Sequence, residues 1–240
     1  MKTLPEPKTL RDKVFALMMR SRLIPVFSSA DMAINHKVLK GVQLSGCPIF
    51  EFTYRRENGE AAFVDLLEYA AAHAPDVTIG TGTIKRVEHA QRFLELGAKF
   101  FVGPAFDEEI AAWAIENGQA YCPGGMTPTE IDQIFKRFGD DPYVIAKMYP
   151  GDFLKPPFLK SLLAANHTSL PMNIMITGGV TLPTIPDWFN AGAVALGAGS
   201  ILGTEAEIHC GSEDEIAARL RAAYDAVPAD FKPVWNDLKS

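Results

Sequence analysis

The chain is poor in the residues that staple or decorate small secreted proteins. It has three cysteines in 240 residues, Cys47, Cys122 and Cys210, with no CxxC spacing among them. An odd, scattered set gives no disulfide framework and fits a reducing cytoplasm. Cys122 is read as a small buried hydrophobe in preference to a nucleophile. The histidines are few as well: His36, His73, His89, His167 and His209 show no metal-ligand spacing, and there is no HExxH. A metal-dependent centre is therefore not expected. There is no excess of positive charge, since the formal net charge is −6. That argues against nucleic acid as the main partner, because phosphate backbones favour basic surfaces. A pocket can still be locally positive on an acidic protein, so a small anionic substrate remains open.

Long apolar runs are also missing. The apolar stretch from Val14 to Met19 is interrupted by Arg20 and Arg22 and preceded by charges through Lys13. It reads as an extra N-terminal amphipathic helix, and neither as a signal peptide nor as a membrane span. No low-complexity segment or Pro/Gly-rich linker divides the sequence, and no GxGxxG follows the first strand candidate.

What the chain does contain is alternation. Short β-branched or apolar runs at 23–28, 48–54, 77–82, 99–103, 119–123, 143–149, 173–177 and 193–198 are followed by helix-like segments at 32–44, 61–73, 86–96, 107–117, 128–138, 155–165, 182–190 and 213–226. Strand–helix alternation favours parallel strands with crossover helices. The count and a length close to ~250 residues predict an α/β protein of one domain over 1–240, a single (β/α)8 TIM barrel. A doubly wound open sheet is the rival architecture. Helix punctuation supports the register. Asp107 precedes Glu108 and Glu109, and Thr127-Pro128-Thr129-Glu130 reads as a capping box with proline at the first helical position.

In such a barrel, chemistry gathers where the strands end. The second strand segment, Ile49-Phe50-Glu51-Phe52-Thr53-Tyr54-Arg55, alternates so that Phe50, Phe52 and Tyr54 share one face, while Glu51, Thr53 and Arg55 share the other. The aromatic face suits the helix layer, which turns a carboxylate, a hydroxyl and a guanidinium inward. A Glu51–Arg55 structural ion pair, or a strand with its polar face in solvent, would explain the same residues. The sixth segment, Tyr143-Val144-Ile145-Ala146-Lys147-Met148-Tyr149, carries Lys147 late in an apolar run. A lysine there is a candidate Schiff-base nucleophile. Its ordinary pKa near 10.4 must fall to roughly 7–8 for reactivity at neutral pH, a change of about 4 kcal/mol. Desolvation and Arg55 favour that change, whereas an ionised Glu51 opposes it. Strands two and six stand opposite each other in an eight-stranded barrel, placing Glu51 and Lys147 across one cavity.

Glycine marks further strand ends: Thr177-Gly178-Gly179, Gly197-Ala198-Gly199-Ser200, Gly80-Thr81-Gly82-Thr83 and Gly103-Pro104. The first two, at consecutive strand ends, predict an anion site in which backbone N–H groups approach the ligand.

Taken in order, Phe50-Glu51-Phe52-Thr53-Tyr54-Arg55, Gly80-Thr81-Gly82-Thr83, Gly103-Pro104, Ala146-Lys147-Met148-Tyr149-Pro150, Thr177-Gly178-Gly179-Val180 and Gly199-Ser200 resemble the class I 2-keto-3-deoxy-6-phosphogluconate (KDPG) and 4-hydroxy-2-oxoglutarate (KHG) aldolase family. The resemblance implies cleavage of a 2-keto-3-deoxy sugar acid or related 2-keto-4-hydroxy acid to pyruvate and an aldehyde. In it, Lys147 forms the imine and Glu51 shuttles protons. Arg55 and Thr83 hold the pyruvoyl carboxylate, and Pro104, Tyr149 and Thr177 line the site. Gly178, Gly179, Gly199 and Ser200 bind a distal phosphate. It further implies a homotrimer without metal or organic cofactor. Tyr149 stands where the family usually has phenylalanine. A phosphosugar isomerase or epimerase on a similar barrel is the alternative enzyme, and a non-catalytic sugar-acid binder the alternative from another class.

Overall fold

A computed structural model describes residues 4–55, 57–165, 172–232 and 235–238; His167 lies outside them. The chain opens with α1 (Leu10–Ser21), capped by Thr9 in a capping box with Asp12. Strands β1 (Leu23–Ile24) and β2 (Val26–Phe27) follow, separated by Pro25, then α2 (Met32–Ser45), β3 (Ile49–Thr53), α3 (Gly59–His73), β4 (Thr78–Gly82), α4 (Val87–Leu96), β5 (Phe101–Val102) and α5 (Glu108–Glu116). Next come β6 (Tyr121–Cys122), β7 (Gly124–Gly125), α6 (Pro128–Phe138), β8 (Ile145–Met148), α7 (Gly151–Ala164), β9 (Asn173–Thr177), α8 (Ile185–Ala191) and β10 (Ala195–Gly197). The chain finishes with α9 (Gly199–Leu202), α10 (Glu205–Cys210), α11 (Glu213–Ala226) and short 3-10 turns at Ala229–Phe231 and Trp235–Leu238.

The strands form two parallel five-stranded sheets, ordered β1-β10-β9-β8-β7 and β2-β3-β4-β5-β6. The expected first strand at 23–28 is thus divided between sheets at Pro25, and the expected fifth at Pro123. The reason is local, because proline has no N–H to give to a ladder. Its carbonyl remains available. Pro25 accepts from the Glu51 N–H at 2.9 Å, and Pro123 accepts from the Lys147 N–H at 2.8 Å.

Other boundaries are corrected as well. The strands expected at 99–103, 143–149 and 193–198 shorten to β5, β8 and β10. The helix expected at 155–165 begins at Gly151 and is broken at Lys155 (φ 63°), the residue before Pro156-Pro157, since a residue preceding proline is pushed out of the helical region. The segment at 182–190 divides into a 3-10 turn, Leu182–Thr184, and α8. Two short helices, α9 and α10, stand between the last strand and α11 where none was expected.

The caps at Asp107 and Thr127 form as their sequences predict: Asp107 accepts from the Ile110 N–H, and Thr127 and Glu130 close a capping box. Phe52 meets Phe63 of α3, and Tyr54 packs on Phe93 and His89 of α4. The aromatic face of β3 therefore points at the helices. All five residues of β3 are buried, which rules out a strand with its polar face in solvent.

The amino-terminal ends of the strands are covered. Trp235 donates from Nε1 to the Ser21 carbonyl at 2.9 Å and packs against Tyr224. Arg22, buried with φ 66°, donates to the carbonyls of Phe231 and Val194 at 2.9 and 3.0 Å. Phe231 and Trp235, from the stretch 228–240 to which the sequence assigned no role, form part of this cover. No described helix is long and apolar enough to cross a membrane.

Candidate active site

At the carboxyl ends of the strands lies a cavity of about 600 Å³, lined by Glu51, Thr53 and Arg55, by Lys147 and Tyr149, by Thr177 and Gly178, and by Gly197, Gly199 and Ser200. Alternation along β3 sends Glu51 and Thr53 inward because the aromatic side chains occupy the helix-facing positions. Lys147 enters the same cavity from β8, one residue before the strand ends at Met148.

Glu51 is 2% exposed and Lys147 7%. Burial pushes the Glu51 carboxyl above the usual carboxylate range, with Lys147 and Arg55 opposing it. Burial likewise holds the Lys147 ammonium below the ordinary lysine range; Glu51 opposes that shift, Arg55 adds to it and Cys122 opposes it. Both shifts favour uncharged forms, as expected for ionisable groups removed from water. A lowered pKa favours the neutral, nucleophilic amine, and a raised pKa favours the protonated carboxyl that can act as a proton donor.

Two buried oxygens in this site have no hydrogen-bond partner, Glu51 Oε2 and Thr177 Oγ1. Unsatisfied buried polar atoms are costly and rare, and these two face the cavity from different sheets. Thr53 is engaged, sharing a 2.7 Å hydrogen bond with Ser28.

Close packing on glycine sets the Glu51 carboxylate. A Cβ on Gly82 would stand 1.8 Å from Glu51 Oε1, so the carboxylate occupies the space of an absent side chain. Gly178 has φ 85°, the left-handed region that glycine adopts without strain, and the Tyr149 ring packs beside it. That ring is 44% exposed, with its centroid 5.2 Å from Lys147 Nζ, close enough for a cation–π contact whenever the amine is protonated.

Of the residues picked out in the sequence, Lys147, Glu51, Arg55, Tyr149, Thr177, Gly178, Gly199 and Ser200 line one cavity. Thr83, Pro104 and Gly179 are not among its described lining. Thr83 (φ 65°) sits behind Arg55 and accepts from its Nε at 3.3 Å. Pro104 lies with its backbone where a Cβ on Gly124 would be, at 2.5 Å. Gly179 opens onto an adjoining surface groove with Met126, Pro150, Asp152 and Phe153. Ser28 and Glu205, which also line the cavity, were not found in the sequence. Ser28 had a weak signal, a polar residue closing the first strand; Glu205 had none, because α10 itself was not foreseen. Cys122 is buried, and burial pushes its thiol far above the ordinary cysteine range. Among the described residues, no group of three or more His, Cys, Asp or Glu side chains converges as a metal site.

Fold and site together define a parallel α/β protein with a buried amine and a buried carboxylate facing one cavity at the carboxyl ends of its strands. Within that class the chain belongs to the KDPG and KHG aldolase family, whose profile matches residues 14–219. It is 26% identical over 205 residues to the 2-dehydro-3-deoxy-phosphogluconate aldolase of Treponema pallidum, covering 85% of this chain and 93% of that protein. It is 27% identical over 158 residues to the 2-dehydro-3-deoxy-6-phosphogalactonate aldolase of Escherichia coli, covering 65% and 73%. Among solved structures, KDPG aldolase from Legionella pneumophila, with pyruvate captured as a covalent carbinolamine, superposes with a TM-score of 0.76 at 19% identity, covering 87% of this chain and 97% of that one; this last likeness is one of fold.

Proposed function

We propose that the protein is a class I aldolase that cleaves a 2-keto-3-deoxy sugar acid, or a related 2-keto-4-hydroxy acid, to pyruvate and an aldehyde. The observation that carries this reading is the Lys147 amine, buried at the end of β8 in the same cavity as the Glu51 carboxyl. The covalent pyruvate of the Legionella relative supports it.

The neutral Lys147 amine adds to the C2 carbonyl to give a carbinolamine. Loss of water, with Glu51 donating the proton, leaves an iminium. The C3–C4 bond then breaks, its electron pair moving into the iminium to form an enamine. The C4 hydroxyl proton passes to Glu51, and the aldehyde departs. Protonation at C3 and hydrolysis return pyruvate and the free amine. One group thus gives and takes protons in successive steps, which suits a carboxyl of raised pKa.

In this reading Arg55, backed by Thr83, holds the keto-acid carboxylate, and Thr177 and Tyr149 flank the imine. Gly178, Gly199 and Ser200 meet the distal part of the substrate, while Pro104 and Gly179 shape the loops around it. The two sheets act as one (β/α)8 barrel in a single domain over 1–240, since β1–β2 and β6–β7 each continue across a proline. We further propose a cytoplasmic homotrimer, with no membrane or nucleic-acid partner and no cofactor.

The test is pyruvate with borohydride, followed by peptide mass spectrometry. A reduced pyruvyl adduct on Lys147 is expected. No adduct on a folded protein would sink the imine and return the site to a phosphosugar isomerase with Glu51 as base.

A further inference from the structure

Proton transfer at Glu51 leaves Thr53 without a part, although Glu51, Thr53 and Arg55 all line the cavity from the inward face of β3 and its end. Thr53 is 4% exposed, and Ser28 lines the cavity next to it. Parallel register sets Val26 against Glu51 and Phe27 against Phe52, which brings Ser28 beside Thr53. Their hydroxyls share one hydrogen bond at 2.7 Å. Each hydroxyl carries one proton, so the pair holds two and the bond between them uses one. Among the described residues neither hydroxyl has a second hydrogen-bond partner. One O–H of the pair is thus left over, in a wall where buried donors are normally paired.

The acceptor that matches it stands at the same height. Thr53 is the register partner of Gly82, and Glu51 Oε1 reaches into the space of a Gly82 Cβ. The Glu51 carboxylate therefore extends one pleat along β3, from its own Cα to the level of Thr53. Its Oε2 is buried without a partner. An unused donor and an unused acceptor so placed are what one hydroxyl requires, since a hydroxyl accepts through its lone pairs and donates through its proton.

The substrate hydroxyl that Glu51 handles in cleavage is the one on C4. We infer that Thr53, aimed by Ser28, donates to the C4 oxygen and so determines which configuration at C4 the enzyme accepts. This rests on the aldolase reading and adds a residue to it. In cleavage the C4 hydroxyl gives its proton to Glu51, the O–H pair becomes the second bond of the aldehyde carbonyl, and the C3–C4 pair passes into the iminium. In condensation the enamine carbon attacks the aldehyde, and the carbonyl oxygen takes the proton back from Glu51. Thr53 keeps its own proton in both directions. Two donors on one oxygen, the Thr53 hydroxyl and the protonated Glu51, fix which face of the aldehyde meets the enamine. Ser28 acts through Thr53 and is a positioning residue.

The experiment is condensation of pyruvate with D-glyceraldehyde 3-phosphate and with glyoxylate, the two C4 configurations of each product being resolved by chromatography. Wild-type protein should form one configuration in excess. Thr53→Val, which keeps the shape and removes the hydroxyl, should lower both that excess and kcat/KM by about tenfold, the worth of one hydrogen bond. Thr53→Ser should hold the wild-type ratio. Ser28→Ala, which keeps the Thr53 hydroxyl and removes the bond that aims it, should fall between. An even mixture from the wild-type protein, a ratio unmoved in Thr53→Val, or an equal loss in Thr53→Ser would overturn the inference. If Thr53→Val is unfolded by circular dichroism, an unmoved ratio in Ser28→Ala overturns it instead. Borohydride trapping of pyruvate involves no aldehyde, so a rise in half-saturating pyruvate that matches the loss in kcat/KM would put the hydroxyl on the keto acid and overturn it too. An adduct on Lys147 with an unmoved ratio removes this inference alone, whereas no adduct, or condensation of neither aldehyde, removes the aldolase reading with it.

Discussion

Glu51 fills the space that any side chain at position 82 would need, its Oε1 lying 1.8 Å from where a Gly82 Cβ would be built. The acid on β3 is thus positioned by an atom missing from its neighbour β4, with Glu51 paired to Gly80 and Thr53 to Gly82 in the register.

Gly82→Ala should therefore disable the site while leaving the fold in place. The added methyl drives the carboxylate off its position, and a misplacement of about 1 Å at a reacting group costs on the order of 100-fold in rate. Pyruvate release from a cleavable keto acid measures the loss, and circular dichroism checks the fold. Full activity in the alanine variant would show that the position of Glu51 is not critical.

The second expectation concerns pH. Burial lowers the pKa of Lys147 first, and Glu51 opposes that shift by favouring the ammonium. Glu51→Gln removes the opposing charge, so the lysine pKa falls further and neutral amine persists to lower pH. The pH at which borohydride trapping of pyruvate reaches half its plateau should accordingly move down in the variant. A midpoint that stays put or rises would mean that the two groups do not sense each other.

A third expectation lies far from the chemistry. Trp235 is 5% exposed, packs on Tyr224 and donates to the Ser21 carbonyl. Trp235→Ala should lower stability by about 3–5 kcal/mol, the usual cost of emptying such a site. The denaturant midpoint should fall while kcat stays the same, since this residue sits at the opposite strand ends. A fall in kcat with no change in midpoint would refute that division of labour.

Much of this was readable from residues alone, and the gaps have physical causes. Phe50, Phe52 and Tyr54 announced their helix-facing side by period-two alternation, which in turn assigned Glu51, Thr53 and Arg55 to the cavity. Lys147 was legible because a charge late in an apolar run has few bland explanations. Glu205 was not, because an acidic residue near a helix start is the ordinary sequence of a cap, and only its contact with Ser29 across 176 positions of chain gives it meaning. Thr83 and Pro104 were found by resemblance, and sequence carries no measure of whether such a residue faces a cavity or stands one layer behind it.

The two prolines that interrupt the first and fifth strands have a wider consequence. Pro25 receives the Glu51 amide and Pro123 the Lys147 amide, while Glu51 belongs to one sheet and Lys147 to the other. Acid and amine thus occupy matching stations in the two halves of the chain, and the reactive centre is a seam. A polypeptide cut between the halves would leave an acid without its amine in one fragment and an amine without its acid in the other, so that catalysis becomes a report on whether the halves have found each other.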